Sequence, residues 1–313
     1  MQVFRHFHQA DGCPLALAIG NFDGMHLGHQ ALLKRLIETA KNQQLKSAVM
    51  TFEPHPREFF TPAQAPSRLA SLREKLELFA ETGVEYVYIC HFNQKFAGVS
   101  AEVFMQEILR NALNAKAILV GEDFRFGAGR KGAVADFQSA GFQLVNLQDV
   151  LLGGKRVSST VVREALAAGR LDEAAALLGR PYSTSGKVVH GDKLGRQLGY
   201  PTANVHMRHD RPPLFGIYAV KLEGLGSTHL PGVANLGVRP TVKHDDRPKL
   251  EVHLFDFDQN IYGKHVRVHF LHKIRDEMKF ADLDTLKLWI KADTQAARDY
   301  FKSLQIQNKN DRR

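Results

Sequence analysis

Residues 15–29 read LALAIGNFDGMHLGH. The stretch opens on an apolar run from Leu15 to Ile19, turns through Gly20, Asn21, Asp23 and Gly24, and ends in His26, Gly28 and His29. Beyond it Ala31, Leu32, Leu33, Leu36, Ile37 and Ala40 recur at helical spacing. The expected order is strand, glycine-rich turn, helix. A helix N-terminus offers unpaired N–H groups and partial positive charge, which suits an anion. Glycines let the backbone come close to a phosphate. His26 and His29 share one face of a first turn, where the neutral imidazole is favoured and still donates one N–H. The stretch is neither a P-loop nor a GxGxxG turn.

The chain has 313 residues, 44% hydrophobic and 24% charged, which fits two globular domains. A net charge of +9 suits nucleic acid or anionic small substrates. Apart from a loose tail at 309–313 there is no basic run, so nucleic acid is not expected as a partner. Cys13 and Cys90 form no CxxC, and none of the 15 histidines sits in HExxH. Residues 1–9 do not resemble a signal peptide, and no apolar run reaches the roughly 18 residues of a membrane span. A cytoplasmic protein without a membrane partner is expected. Self-association is not readable.

Strand patterns at 47–52, 84–90, 117–120 and 142–147 alternate with helical ones, which predicts parallel βαβ units. Two prolines at 54 and 56 are expected to forbid regular structure there. Ligands of such sheets bind beyond the carboxyl ends of the strands. Three segments fall there: 20–29, 53–56 and 121–127, the last reading GEDFRFG with Asp123 and Arg125. Residues 157–163 read VSSTVVR. Ser158, Ser159 and Thr160 suit a helix start, which caps the helix or holds a phosphate, and Arg163 follows one turn on.

Near Tyr182 the pattern changes to short alternating segments with closely spaced turns, the signature of a β-barrel or sandwich. The expected domains are therefore 1–181 and 182–313. Residues 186–204, GKVVHGDKLGRQLGYPTAN, hold Gly186, Gly191, Gly195 and Gly199. Their spacing fits a plain hairpin or a pliable phosphate wrap. Thr202 and Asn204 offer hard oxygen ligands suited to Mg²⁺. In LEVHLFDF, period-2 alternation puts Val252 and Leu254 on one face and Glu251, His253 and Phe255 on the other.

His26–Leu27–Gly28–His29 has the HxGH form of the nucleotidyltransferase superfamily. Taken with GxDFxFG, SSTxxR, the PTAN box and NLGVRPT at 235–241, the chain resembles the bacterial bifunctional riboflavin kinase/FAD synthetases over nearly its whole length. That resemblance implies an α/β N-terminal Rossmann-like nucleotidyltransferase domain with a parallel sheet. It implies a C-terminal antiparallel β-barrel riboflavin kinase domain with a terminal helix. The kinase domain would phosphorylate riboflavin to FMN, and the first domain would adenylylate FMN to FAD, with ATP serving both and Mg²⁺ held in the kinase domain. By the resemblance His26, His29 and Glu251 are catalytic, with Glu251 the kinase base. Gly20, Phe22, Asp23, Asp123, Arg125, Ser158, Ser159, Thr160 and Arg163 bind the adenylyltransferase nucleotide. Gly186, Gly191, Thr202 and Asn204 bind the kinase nucleotide, Thr202 and Asn204 also the metal, and Asn235, Arg275 and Glu277 the flavin. Three alternatives compete: a single-activity enzyme with one domain retained only for binding, a flavin-sensing or RNA-binding regulator, and a nucleotidyltransferase for another phosphorylated substrate.

Overall fold

The computed structural model describes residues 1–7, 12–145, 148–191, 194–208, 211–237 and 247–310. Two compact units emerge: Met1–Pro66 with Leu72–Ser159, and Ser67–Ser71 with Thr160–Arg313.

In the first unit, β1 (Gln2–Phe4), β2 (Leu15–Ile19), β3 (Lys46–Glu53), β4 (Tyr86–His91), β5 (Ala115–Leu119) and β6 (Gln143–Leu144) form one sheet. The order is β1-β4-β3-β2-β5-β6 and every pair is parallel. β2 is buried along its length, as a parallel strand covered on both faces must be. Leu15, Leu17 and Ile19 pack on one face with Met50, Tyr88, Leu109 and Phe137. Ala16 and Ala18 pack on the other against α1 (Leu27–Asn42) and α2 (Leu72–Thr82) through Leu33, Leu36 and Phe79. The chain leaves β2 toward β3 on one side, while β5 lies on the other. That switch point opens a crevice at the carboxyl end of β2.

One expectation is corrected here. Pro56 does not break the chain but opens a helical turn, Pro56–Phe60, capped by His55. At the first helical position proline loses no intrahelical hydrogen bond. Beyond Ser100, whose hydroxyl caps the turn Ala101–Val103, the chain winds as a π-helix over Phe104–Ala112.

The second unit begins with α3, most of the helix Ser159–Ala167, and α4 (Leu171–Leu178), which ends at a left-handed Gly179. Then β7 (Ser183–Val189), β8 (Ala203–His206), β9 (Gly216–Glu223), β10 (Leu230–Gly237), β11 (Lys249–Leu254) and β12 (His265–Arg275) close into a barrel ordered β7-β8-β11-β10-β9-β12. All six pairings are antiparallel. The long helix α5 (Leu283–Asn310) follows. Leu171–Leu178 packs on β12, so the compact unit starts earlier than the change of pattern near Tyr182 suggests. Alternation in β11 holds from Lys249 to Leu254. It fails at Phe255, which is buried with Ala297 against α5, because the strand has ended and Asp256 takes a positive φ.

Candidate active sites

The first site grows from the turn after β2. Gly20 lies under the ring of Phe22, which a Cβ there would meet at 3.2 Å. Phe22 is fully buried, with its ring 5.2 Å from that of His29 and 5.3 Å from that of Phe79. The Phe22 ring is thus part of the core beneath the turn. Burying it, worth roughly 2–3 kcal/mol, fixes the turn beneath His29.

His26 is the N-cap of α1. Its Nδ1 accepts the backbone N–H of His29 at 3.3 Å, so Nδ1 carries no proton and the neutral ring donates from Nε2. The two imidazoles stack with centroids 3.7 Å apart and planes 19° from parallel. Gly28 lets them do so, since a Cβ there would press on the His26 ring at 3.2 Å. Burial, then the neighbouring His26 and Lys75, hold the His29 imidazole well below the usual histidine range. His29 is thus a neutral donor or acceptor at ordinary pH. Its Nδ1 and the Oδ1 of Asn21 are buried without a hydrogen-bond partner. Asp23 is 6% exposed, and its carbonyl accepts from the Ser159 hydroxyl at 2.9 Å. That bond ties the start of the VSSTVVR helix to the turn after β2.

Sequence reasoning missed Lys75. It is 4% exposed, with Nζ 3.5 Å from the Asn21 carbonyl and 3.8 Å from a Glu53 carboxylate oxygen. The signal was present: Lys75 stands three residues after Leu72 and four before Phe79, on the apolar stripe of α2. A lysine at a core position needs a polar environment to hold its charge.

The other residues expected at this site have partners or surroundings of their own. Asp123 is 80% exposed and pairs with Arg156 at 2.5 Å. Arg125 is exposed and donates to the carbonyl of Phe124. Ser158 is half-buried just before the helix, and Thr160 is exposed on its first turn. Arg163 donates from Nε to the Ser67 carbonyl at 2.6 Å.

The second site is set by register across three strands. Asn204 on β8 pairs with Glu251 on β11, and Glu251 pairs with Asn235 on β10. The three residues form a row across the barrel wall. Glu251, Asn235 and Thr202 line a cavity of about 650 Å³, together with Arg275, Glu277 and Ile290 of α5. Asn235 Oδ1 is buried there without a partner. A second cavity of about 470 Å³, walled by Arg196, Asp258 and Tyr262, meets the first at Thr202.

The glycines make room for these groups. A Cβ on Gly191 would run into the Asn204 amide, and one on Gly195 would lie 3.2 Å from the Thr202 hydroxyl. Gly186 is different. It lies inside β7 against the His206 carbonyl, so its pliable-loop reading is corrected: the close approach of two strands requires it. His253 was not assigned a role. Its Nδ1 is 2.9 Å from the Pro201 carbonyl, which only accepts, so it donates there and fastens the PTAN turn to β11.

Arg275 grips Asp293 of α5 through two bonds, Nε to Oδ1 at 2.8 Å and Nη2 to Oδ2 at 2.7 Å. Its guanidinium lies 5.2 Å from the ring centroid of Trp289. It borders the cavity chiefly as the anchor of its lid helix. Glu277 lies so close to Gly237 that a Cβ there would overlap its carboxylate. The NLGVRPT stretch from Val238 to Thr241 lies outside the described residues.

Two family models match the chain: FAD synthetase over residues 8–161 and riboflavin kinase over residues 178–301. The bifunctional riboflavin kinase/FMN adenylyltransferase of Escherichia coli K12 is 47% identical over 96% of this chain and 98% of its own. That of Haemophilus influenzae is 44% identical over 97% and 100%. The chain belongs to the bifunctional riboflavin kinase/FMN adenylyltransferase family. A solved structure titled macrolide-efflux protein, from Streptococcus pneumoniae, aligns with a TM-score of 0.78 at 31% identity, covering 95% of this chain and 98% of its own. No helix among the described residues is long and apolar enough to cross a membrane. In this riboflavin kinase/FMN adenylyltransferase chain the HxGH turn falls inside the FAD synthetase match. The Asn204–Glu251–Asn235 row falls inside the riboflavin kinase match.

Magnesium fits the donor set of the second site. Thr202 and Asn204 supply neutral oxygens, Glu251 a carboxylate, and Gly191 and Gly195 leave the space around them clear. Oxygen donors of this kind suit a hard cation that keeps waters and nucleotide phosphates as its other ligands.

Proposed function

We propose that the enzyme's two transfers are run by two separate sets of residues, divided at residues 181/182. The carboxy-terminal part transfers the γ-phosphoryl group of ATP to the 5′-hydroxyl of riboflavin. The amino-terminal part joins the FMN phosphate to the α-phosphorus of a second ATP, releasing pyrophosphate and giving FAD.

The observation that carries the kinase assignment is the meeting of two cavities at Thr202, with Glu251 on the wall of the larger. Riboflavin takes the larger cavity beside Asn235, Arg275 and Glu277, and the nucleoside of ATP takes the smaller. The phosphates then lie at Thr202 and Asn204, which hold Mg²⁺. The bound metal neutralises phosphate charge. Glu251 accepts the proton of the attacking hydroxyl, and positioning supplies most of the rest.

The adenylyl transfer needs no enzyme-bound intermediate, because the attacking FMN oxygen is already anionic. Charge builds on the triphosphate, and the neutral N–H groups of His26 and His29, with the Ser158–Ser159 helix start, are placed to receive it. Thr160 and Arg163 keep their triphosphate role by motif. Asp123 and Arg125 remain ligands of the nucleotide or FMN. The substrates are small molecules, no nucleic acid takes part, and the enzyme works in the cytoplasm.

The test is a time course with riboflavin, ATP and Mg²⁺, the flavins being separated by chromatography. FMN should appear before FAD. FMN without FAD would remove the adenylyltransferase assignment, and FAD only from added FMN would remove the kinase assignment.

A further inference from the structure

Away from both sites, β9 ends in Glu223, its hairpin returns through His229 to β10, and β12 passes beside them carrying His269. Lys221 pairs with His269 and Glu223 with Arg267, so Glu223 and His269 project on the same outer face of the barrel. The His269 Nε2 is 2.8 Å from Glu223 Oε2, and the His229 Nε2 is 3.9 Å from the same oxygen. The two imidazoles are stacked 5.2 Å apart and 11° from parallel. One ligand atom from each of the three residues lies within 4.8 Å of the other two.

We infer that Glu223, His229 and His269 form a binding site for a transition-metal dication of the zinc class. Two imidazoles and one carboxylate are a donor set that such ions take in tetrahedral geometry, with water in the fourth position. Bonds of about 2.1 Å place tetrahedral ligand atoms about 3.4 Å apart. The separations of 2.8 and 3.9 Å bracket that value, so small side-chain rotations suffice. A hard, six-coordinate ion such as Mg²⁺ does not match the imidazoles, which keeps this site apart from the Mg²⁺ of the kinase reaction.

The surrounding electrostatics act in both directions. The Glu223 carboxylate beside both imidazoles favours a cation at this point. Arg267 opposes the cation, with Nε 4.0 Å from Glu223 Oε2, although its Nη1 is turned to the Ser183 hydroxyl. A bound ion would tie the β9–β10 hairpin to β12 and so pin one end of the barrel.

The experiment uses the full chain without a histidine tag, stripped with chelator and titrated calorimetrically with ZnCl₂. Co²⁺ absorption then reads the coordination geometry. One saturable zinc ion, a tetrahedral cobalt spectrum and a melting temperature that rises with zinc are expected. His229→Ala and His269→Gln should each weaken the zinc affinity at least ~10-fold, a loss the size of or larger than that of outer-shell changes. Arg267→Gln should tighten it. His272→Ala, on the same strand but outside the cluster, should change nothing. Absence of saturable binding in the parent chain, or equal binding in the His229 and His269 variants, overturns the site. FMN formation in Mg²⁺ serves as the check that each variant is folded.

Discussion

The His26 imidazole stacks on that of His29 at 3.7 Å while accepting the His29 backbone N–H. One ring therefore both caps α1 and fixes where its partner points. Because Nδ1 of His26 is occupied as an acceptor, the hydrogen that faces a ligand is on Nε2. His29 → Ala should abolish FAD formation from FMN, with a fall of roughly 10²–10³ if a single donor to the growing charge is lost. FMN formation from riboflavin should stay at the parent rate. Equal loss of both activities would refute the two-site division.

Proton uptake at His29 also has a stability consequence. The folded state holds this imidazole well below the ordinary value of 6.5, whereas the unfolded chain titrates near it. Above that value the group contributes nothing to pH dependence. Below it the unfolded state binds the proton more readily, so stability falls as pH drops toward the folded value. His29→Gln should flatten that fall, as read by the melting temperature of the amino-terminal unit at about pH 7.5, 6.5 and 5.5. A parent-like slope in the variant would show that other groups carry the effect.

Lys75 places a buried positive charge beside Asn21 and Glu53 and lowers the His29 pKa. Lys75→Met keeps the length and apolar stem of the side chain. The KM for ATP in FAD formation should rise and the rate fall, by ~10-fold or more for a buried charge facing phosphate. Riboflavin phosphorylation should be untouched. An unchanged KM would reduce Lys75 to a structural partner of Glu53.

In the barrel, the pairing of Asn204 with Glu251 and of Glu251 with Asn235 makes a complementary prediction. Glu251→Gln removes the proton acceptor while keeping shape, and should lower FMN formation by about 10²–10⁴. Asn204→Ala should also stop FMN formation and raise the Mg²⁺ needed for any residue of it. Both variants should still convert added FMN to FAD. Chromatography of the two reactions run separately decides the matter.

The parts of this molecule that could be read in advance are those where local pattern and tertiary need agree. β2 is apolar throughout because both its faces are covered, so its run and the glycine turn after it announce a parallel strand ending at a site. His26, Gly28 and His29 fall within one turn, and local geometry sets the stacking of the two imidazoles. The register of Asn204, Glu251 and Asn235 was not legible, because it depends on which strands of the barrel become neighbours. The burial of the Phe22 ring was not legible either, because a residue inside a ligand-binding motif can serve it from beneath. Lys75 was overlooked because helical periodicity counts apolar residues and passes over a charge on the same stripe.

Arg275 and Asp293 carry the last prediction. Their two parallel bonds join the end of β12 to α5, with both side chains largely buried. α5 supplies Leu286 and Ile290 to the wall of the larger cavity, so this pair sets how firmly that wall is held. Asp293→Ala leaves a buried guanidinium without its carboxylate and should cost about 3 kcal/mol of stability. Asp293→Asn keeps the shape and one acceptor and should cost less. In both variants the KM for riboflavin should rise more than kcat falls, because Asp293 holds the wall and not the reacting atoms. The KM for FMN in the adenylyl transfer should not move. A fall in kcat at constant KM would instead place Arg275 in contact with the phosphoryl transfer itself.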